Sequence, residues 1–81
     1  MRAKIYIRYK EGILDPQGST VGHALDAMDI PSIDSVSIGK FIEMHFGDVS
    51  KKEAERITDE SCRKLLANPN TETYKFEIVE D

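Results

Sequence analysis

Ser35-Val36-Ser37-Ile38-Gly39-Lys40-Phe41-Ile42-Glu43-Met44-His45-Phe46 is the stretch on which the fold turns. Val36, Ile38, Lys40, Ile42, Met44 and Phe46 hold the even positions, with Ser35, Ser37, Gly39, Phe41, Glu43 and His45 between them. A period of two marks a half-buried strand, and the phase passes through Gly39-Lys40 without a slip. Two readings fit. A tight hairpin at Gly39-Lys40 would give two short strands. One long central strand bent at Gly39 would keep the apolar residues on a common face, and glycine relaxes the steric limits at a kink or bulge. The second reading is adopted, with only Lys40 out of character on that face.

Upstream, Ala3 to Lys10 alternates with Ile5, Ile7 and Tyr9 on one side, a first strand. Glu11 to Gly18 is rich in turn formers, Gly12, Asp15-Pro16 and Gly18, and reads as a loop. Ser19 or Thr20 can then cap a short helix whose stripe is Val21, Ala24, Leu25 and Met28, ending before Pro31. Downstream, Ser50-Lys51-Lys52-Glu53 is a capping box that opens a second helix. Its inner stripe is Ala54, Ile57, Ser61, Cys62, Leu65 and Leu66, and Asn68-Pro69 ends it. Thr73 to Val79 is a final strand led by Tyr74, Phe76 and Ile78. The expected fold class is therefore α+β: an antiparallel sheet with two helices on one face, in the ferredoxin-like order β-α-β(β)-α-β. Tyr6 and Phe41, together with Ala3 and Val79, are assigned to the opposite sheet face, a second apolar surface for another subunit.

The chain has 81 residues, 11 Lys plus Arg against 15 Asp plus Glu, and a net charge of −4, which describes one small acidic domain spanning 1–81. Such a core supplies a margin of about 3–5 kcal/mol, and a single cysteine, Cys62, makes no internal disulfide, so self-association is expected. The lone thiol suits a reducing, cytoplasmic setting, and no apolar run approaches the roughly 18 residues of a membrane span. Nucleic-acid binding is disfavoured, because Lys51, Lys52, Arg56, Arg63 and Lys64 alternate with Glu53, Glu55, Asp59 and Glu60 rather than forming a basic patch.

The chain offers few candidates for chemistry. His23, His45 and Cys62 lack the spacing of metal ligands, and Cys62 on a buried stripe acts as a small hydrophobe. No carboxylate pair is placed for acid–base work, and the glycines match neither the phosphate loop nor the dinucleotide fingerprint. No catalytic, cofactor-binding or metal-ligating residue is assigned. What stands out is the specific punctuation of three loops, Asp15-Pro16-Gln17-Gly18, Gly39-Lys40 and Asn68-Pro69, which serves either turn formation or an interface.

Those loops carry a resemblance. The run Tyr9 to Gly18, Ala24-Leu25, Ile38-Gly39-Lys40, and Cys62 to Pro69 with Glu72 and Tyr74 resembles the PurS family across the whole chain. Ser37, Asp29 and Asn70-Thr71 depart from the arginine, glycine and Val-Ile common there. PurS is the small subunit of phosphoribosylformylglycinamidine (FGAM) synthase, EC 6.3.5.3, which uses ATP and glutamine to replace an amide oxygen by nitrogen in purine biosynthesis. The resemblance implies a subunit with no catalyst of its own that bridges the PurL synthetase and the PurQ glutaminase and supports ammonia transfer. It implies a complex that uses ATP and Mg, with none bound by this subunit, and a homodimer or homotetramer in isolation. Asp15, Pro16, Gln17, Gly18, Gly39, Lys40, Asn68 and Pro69 are the expected partner contacts. The alternatives are a stand-alone ferredoxin-like module that binds a regulatory small molecule, and an acylphosphatase-like enzyme, for which no phosphate cradle is visible.

Overall fold

The computed structural model describes residues 1–80, which form β1 (Arg2–Tyr9), α1 (Pro16–Ala27), β2 (Lys40–His45), α2 (Lys51–Ser61) and β3 (Glu72–Val79). The strands make one antiparallel sheet in the order β2-β1-β3. Ile5 lies opposite Ile42 on one side and Phe76 on the other, so the odd residues of β1 meet the even residues of both neighbours on the inner face. Ala3, Ile5 and Ile7 are buried there, and Ala54, Thr58 and Cys62 of the helical layer close over them. The α+β class and antiparallel sheet are as the sequence predicts.

Four details differ. Regular strand begins at Lys40, not Ser35. Residues 30–39 run without regular structure, so neither a hairpin nor a long strand bent at Gly39 is formed. Alternation in 35–39 reports instead an extended segment laid against α1. That helix starts four or five residues earlier than a cap at Ser19 or Thr20 would place it. Asp15 caps it by accepting from the Gly18 amide, and Pro16 occupies the first helical position, where its missing N–H costs nothing. Ala3 belongs to the buried inner row and not to the outer face, as its odd number beside Ile5 requires.

The fourth concerns the end of the second helix. A π-turn, Cys62–Leu66, continues α2 and closes with the Ala67 amide donating to the Cys62 carbonyl. The wider turn slows rotation per residue, so Leu66 swings toward the stripe of Thr58 and Cys62 while Leu65 swings away. Leu65, expected inside, is 82% exposed. Thr58, unassigned from sequence, is fully buried, its hydroxyl donating to the Ala54 carbonyl at 2.7 Å.

The two helices are placed unequally. α2 packs on β1 and β3, whereas among the described residues α1 makes no comparable packing on the sheet. It lies instead along residues 36–38, and the molecule is long and thin, 50 × 29 × 14 Å. Tyr6 and Phe41 pair across β1 and β2 on the outer face, as expected, with ring centroids 5.2 Å apart. No helix among the described residues is long and apolar enough to cross a membrane.

Candidate functional site

Antiparallel pairing decides where the three punctuated loops go. Ile7 sits opposite Lys40 and Tyr9 opposite Glu72, so the exit of β1 and the entrances of β2 and β3 share one end of the sheet. The Asp15–Gly18 turn, the Gly39-Lys40 step and the Asn68-Pro69 corner all gather there.

Asp15 is the pivot of the first half. One carboxylate oxygen accepts from the Gly18 amide and the other from the Ile38 amide, both at 2.8 Å, which ties the start of α1 to the irregular segment leading into β2. These amides, Gly18 foremost, hold the Asp15 carboxyl below its ordinary value. The close approach dictates residue type. A Cβ on Gly18 would stand 2.2 Å from the Val36 carbonyl oxygen, and one on Gly39 would stand 2.4 Å from that of Ile7. Pro16 and Gln17 remain exposed on the first turn.

Lys40 begins the second half. Its ammonium lies 3.7 Å from a Glu72 carboxylate oxygen, and the other Glu72 oxygen accepts from the Asn68 amide at 2.7 Å. Asn68 in turn accepts from the Asn70 amide through its side chain and from the Glu72 amide through its carbonyl. Lys10, just past the end of β1, reaches across to donate to the Pro69 carbonyl at 2.7 Å. The structure thus brings all eight sequence-selected residues to one end, and adds Lys10, Ile38 and Glu72 as the groups that hold them. Ile38, Lys10 and Glu72 meet partners 23, 59 and 32 residues away, at Asp15, Pro69 and Lys40, and such separations leave no periodic signal, so these three were not assigned a role from sequence.

The surface that results is polar and open. The Lys40 side chain is 59% exposed, and Leu65 stands out just ahead of Asn68. No three His, Cys, Asp or Glu side chains converge as a metal site among the described residues. Cys62 is buried, and burial, then the Asp59 carboxylate, pushes its thiol up and away from the reactive thiolate. His23 and His45 are exposed and far apart in the fold, one on α1 and the other at the end of β2. On α2, Arg56 bridges Glu53 and Glu60, Lys64 pairs with Glu60 and Arg63 with Asp59, which makes the mixed, solvated face that the charge pattern predicts. Asp59 also accepts from the Tyr74 hydroxyl at 2.6 Å, fastening α2 to β3.

Residues 2–80 match the family model described as PurS: phosphoribosylformylglycinamidine (FGAM) synthase. The phosphoribosylformylglycinamidine synthase subunit PurS of Bacillus subtilis is 40% identical over 79 residues, covering 98% of this chain and 93% of that protein. The solved structure of B. subtilis PurS superposes with a TM-score of 0.87 at 40% identity, over 98% of both chains. A chain in the structure of PurLQS from Thermotoga maritima superposes with a TM-score of 0.81 at 26% identity, covering 98% of this chain and 99% of that one.

Proposed function

This chain belongs to the PurS family, a subunit of FGAM synthase, and we propose that it acts there as the piece that joins the PurL synthetase to the PurQ glutaminase. The observation that carries this reading is the convergence of the three loops on one end of the sheet. Asp15 and Glu72 brace that end from within, while Gln17, Lys40, Leu65 and Asn68 are exposed there, where they can face another protein. An exposed leucine among fixed polar groups is the composition of an interface anchor with its rim. The stand-alone regulatory module is not favoured, since the relatives are synthase subunits.

The chemistry needs such a joint. Ammonia released into bulk water at neutral pH is mostly protonated and diffuses away, so a closed route from glutaminase to synthetase raises its effective concentration at the acceptor. A braced, inert surface supplies part of that wall. In this proposal the subunit binds no cofactor itself, the complex uses ATP and Mg, the setting is the cytoplasm, and two copies pair as a homodimer.

Reconstitution with cognate PurL and PurQ tests it. Glutamine-driven FGAM formation should require this chain, while ammonia-driven formation by PurL alone should not. Lys40→Ala and Leu65→Ser change exposed side chains and should weaken co-purification and lower glutamine-driven turnover without unfolding the chain. Undiminished glutamine-driven turnover with the chain omitted would overturn the reading. Unaltered assembly in both variants would move the contact away from this end.

A further inference from the structure

We propose that the outer face of the sheet holds a nucleoside monophosphate, its phosphate between Arg8 and Lys75 and its base on the rings of Tyr6 and Phe41. Such a site requires no second protein and goes beyond the joining role. Its basis is an imbalance of charge across one face. Toward the His45 end of that face, Lys4 stands opposite Glu43 on β2 and Glu77 on β3, and Arg2 lies 3.4 Å from Glu43. Both cations there meet a carboxylate across the strand, the arrangement that stabilises a sheet.

Toward the other end the pattern breaks. Arg8 stands opposite Thr73 and Lys75 opposite Tyr6, which makes the two cations diagonal neighbours across β1 and β3, about 7–8 Å apart at Cα. Both are exposed, and neither makes an ion pair among the described residues. Like charges this close repel. An anion between them turns that repulsion into two charge-assisted hydrogen bonds. In a chain of net charge −4, a bare pair of cations is a local reversal of sign.

Shape narrows the ligand. Tyr6, Arg8, Thr73 and Lys75 line an open cavity of about 250 Å³. That is below the roughly 300–1,000 Å³ of pockets for drug-sized ligands, which limits the occupant to one small unit. Two cations match the charge of about −1.5 to −2 on a phosphate monoester at neutral pH, and Thr73 adds a hydroxyl donor. Beside them Tyr6 and Phe41 are 40% and 53% exposed, with ring centroids 5.2 Å apart. The Lys75 ammonium lies 5.9 Å from the Tyr6 centroid, so the cation and the aromatic surface are continuous. Exposed aromatic rings flanked by cations are what a base and its phosphate require, because every base has a face that stacks.

The test uses the full chain alone, titrated with adenosine 5′-monophosphate and followed by NMR. Shifts at Tyr6, Arg8, Phe41, Thr73 and Lys75, with Ile5 and Ile7 of the inner face spared, are the expected result. Adenosine and ribose 5-phosphate, each lacking one half of the ligand, should bind at least about 10-fold more weakly. Arg8→Gln, Lys75→Gln and Phe41→Ala change exposed side chains and should each raise Kd about 10-fold with the fold intact. Lys52→Gln makes the same change of charge on α2, across the sheet, and should leave Kd unaltered. Inorganic phosphate bound as tightly as the nucleotide would reduce the site to a bare anion site and overturn the assignment. Shifts confined to the loop end or to α2, or none at millimolar nucleotide, would overturn the site altogether. Neither PurL nor PurQ enters the measurement, so its failure leaves the joining role standing.

Discussion

Two glycines four residues apart in α1 should respond to alanine in opposite directions. Alanine is the better helix former by about 0.5–1 kcal/mol, and on propensity alone both Gly18→Ala and Gly22→Ala should stabilise the protein. At Gly22 the added Cβ meets nothing nearer than a Val36 methyl at 3.8 Å, ordinary contact, so the gain should be realised. At Gly18 it would stand 2.2 Å from the Val36 carbonyl oxygen and 2.7 Å from an Asp15 carboxylate oxygen, and relief requires the helix and the 36–38 segment to separate by nearly 1 Å. Overpacking of this kind costs about 1–3 kcal/mol, which outweighs the propensity gain and leaves Gly18→Ala about 1–2 kcal/mol less stable. Urea unfolding followed by circular dichroism gives both signs, and hydrogen exchange at the Ile38 amide reports whether its bond to Asp15 has opened. Gly18→Ala at or above wild-type stability, with Ile38 still protected, would refute the claim that α1 is fastened to the 36–38 segment.

Asp29 has φ 60° at the end of α1, where the Ile30 amide donates to the Leu25 carbonyl and the Asp29 amide to that of Asp26, the Schellman arrangement that favours glycine. Asp29→Gly should therefore raise stability by about 1 kcal/mol in the same urea measurement. The Asp15 carboxyl is held below its ordinary 3.8 by the Gly18 and Ile38 amides, so its contribution is present above pH 3.8 and lost as pH falls through the lower folded-state value. The stability difference between wild type and Asp15→Asn should shrink over that acid range, and a constant difference would count against the pair of amide bonds. Thr58→Val should stay within about 1 kcal/mol of wild type, because the Ala54 carbonyl keeps its helical partner, whereas Thr58→Ala leaves a void worth about 1–2 kcal/mol. Thermal denaturation separates the two. Cys62, buried with its thiol pushed up, should react with a disulfide reagent only at the rate of unfolding, and a fast stoichiometric reaction in the native state would show that it is not sealed.

Sequence periodicity determined much of this protein by itself. Alternation in β1, β2 and β3 separates inner from outer residues, and the Ser50–Glu53 capping box places the start of α2, because strand pleat and helix capping depend on neighbours a few positions away. The eight loop residues were legible as special from their backbone chemistry, and the family from their order. Their meeting at one end of the sheet was decided by tertiary structure, through the register of Ile7 with Lys40 and Tyr9 with Glu72. So were the exposure of Leu65, which follows from a π-turn that no local propensity signals, and the fate of residues 35–39, whose alternation suits a strand but whose path is bent away by the Asp15 carboxylate 23 residues earlier. A pattern of side chains records which face is apolar; which surface arrives to cover it is settled by contacts between residues distant in the chain, and for α1 none within the protomer does so to a comparable extent.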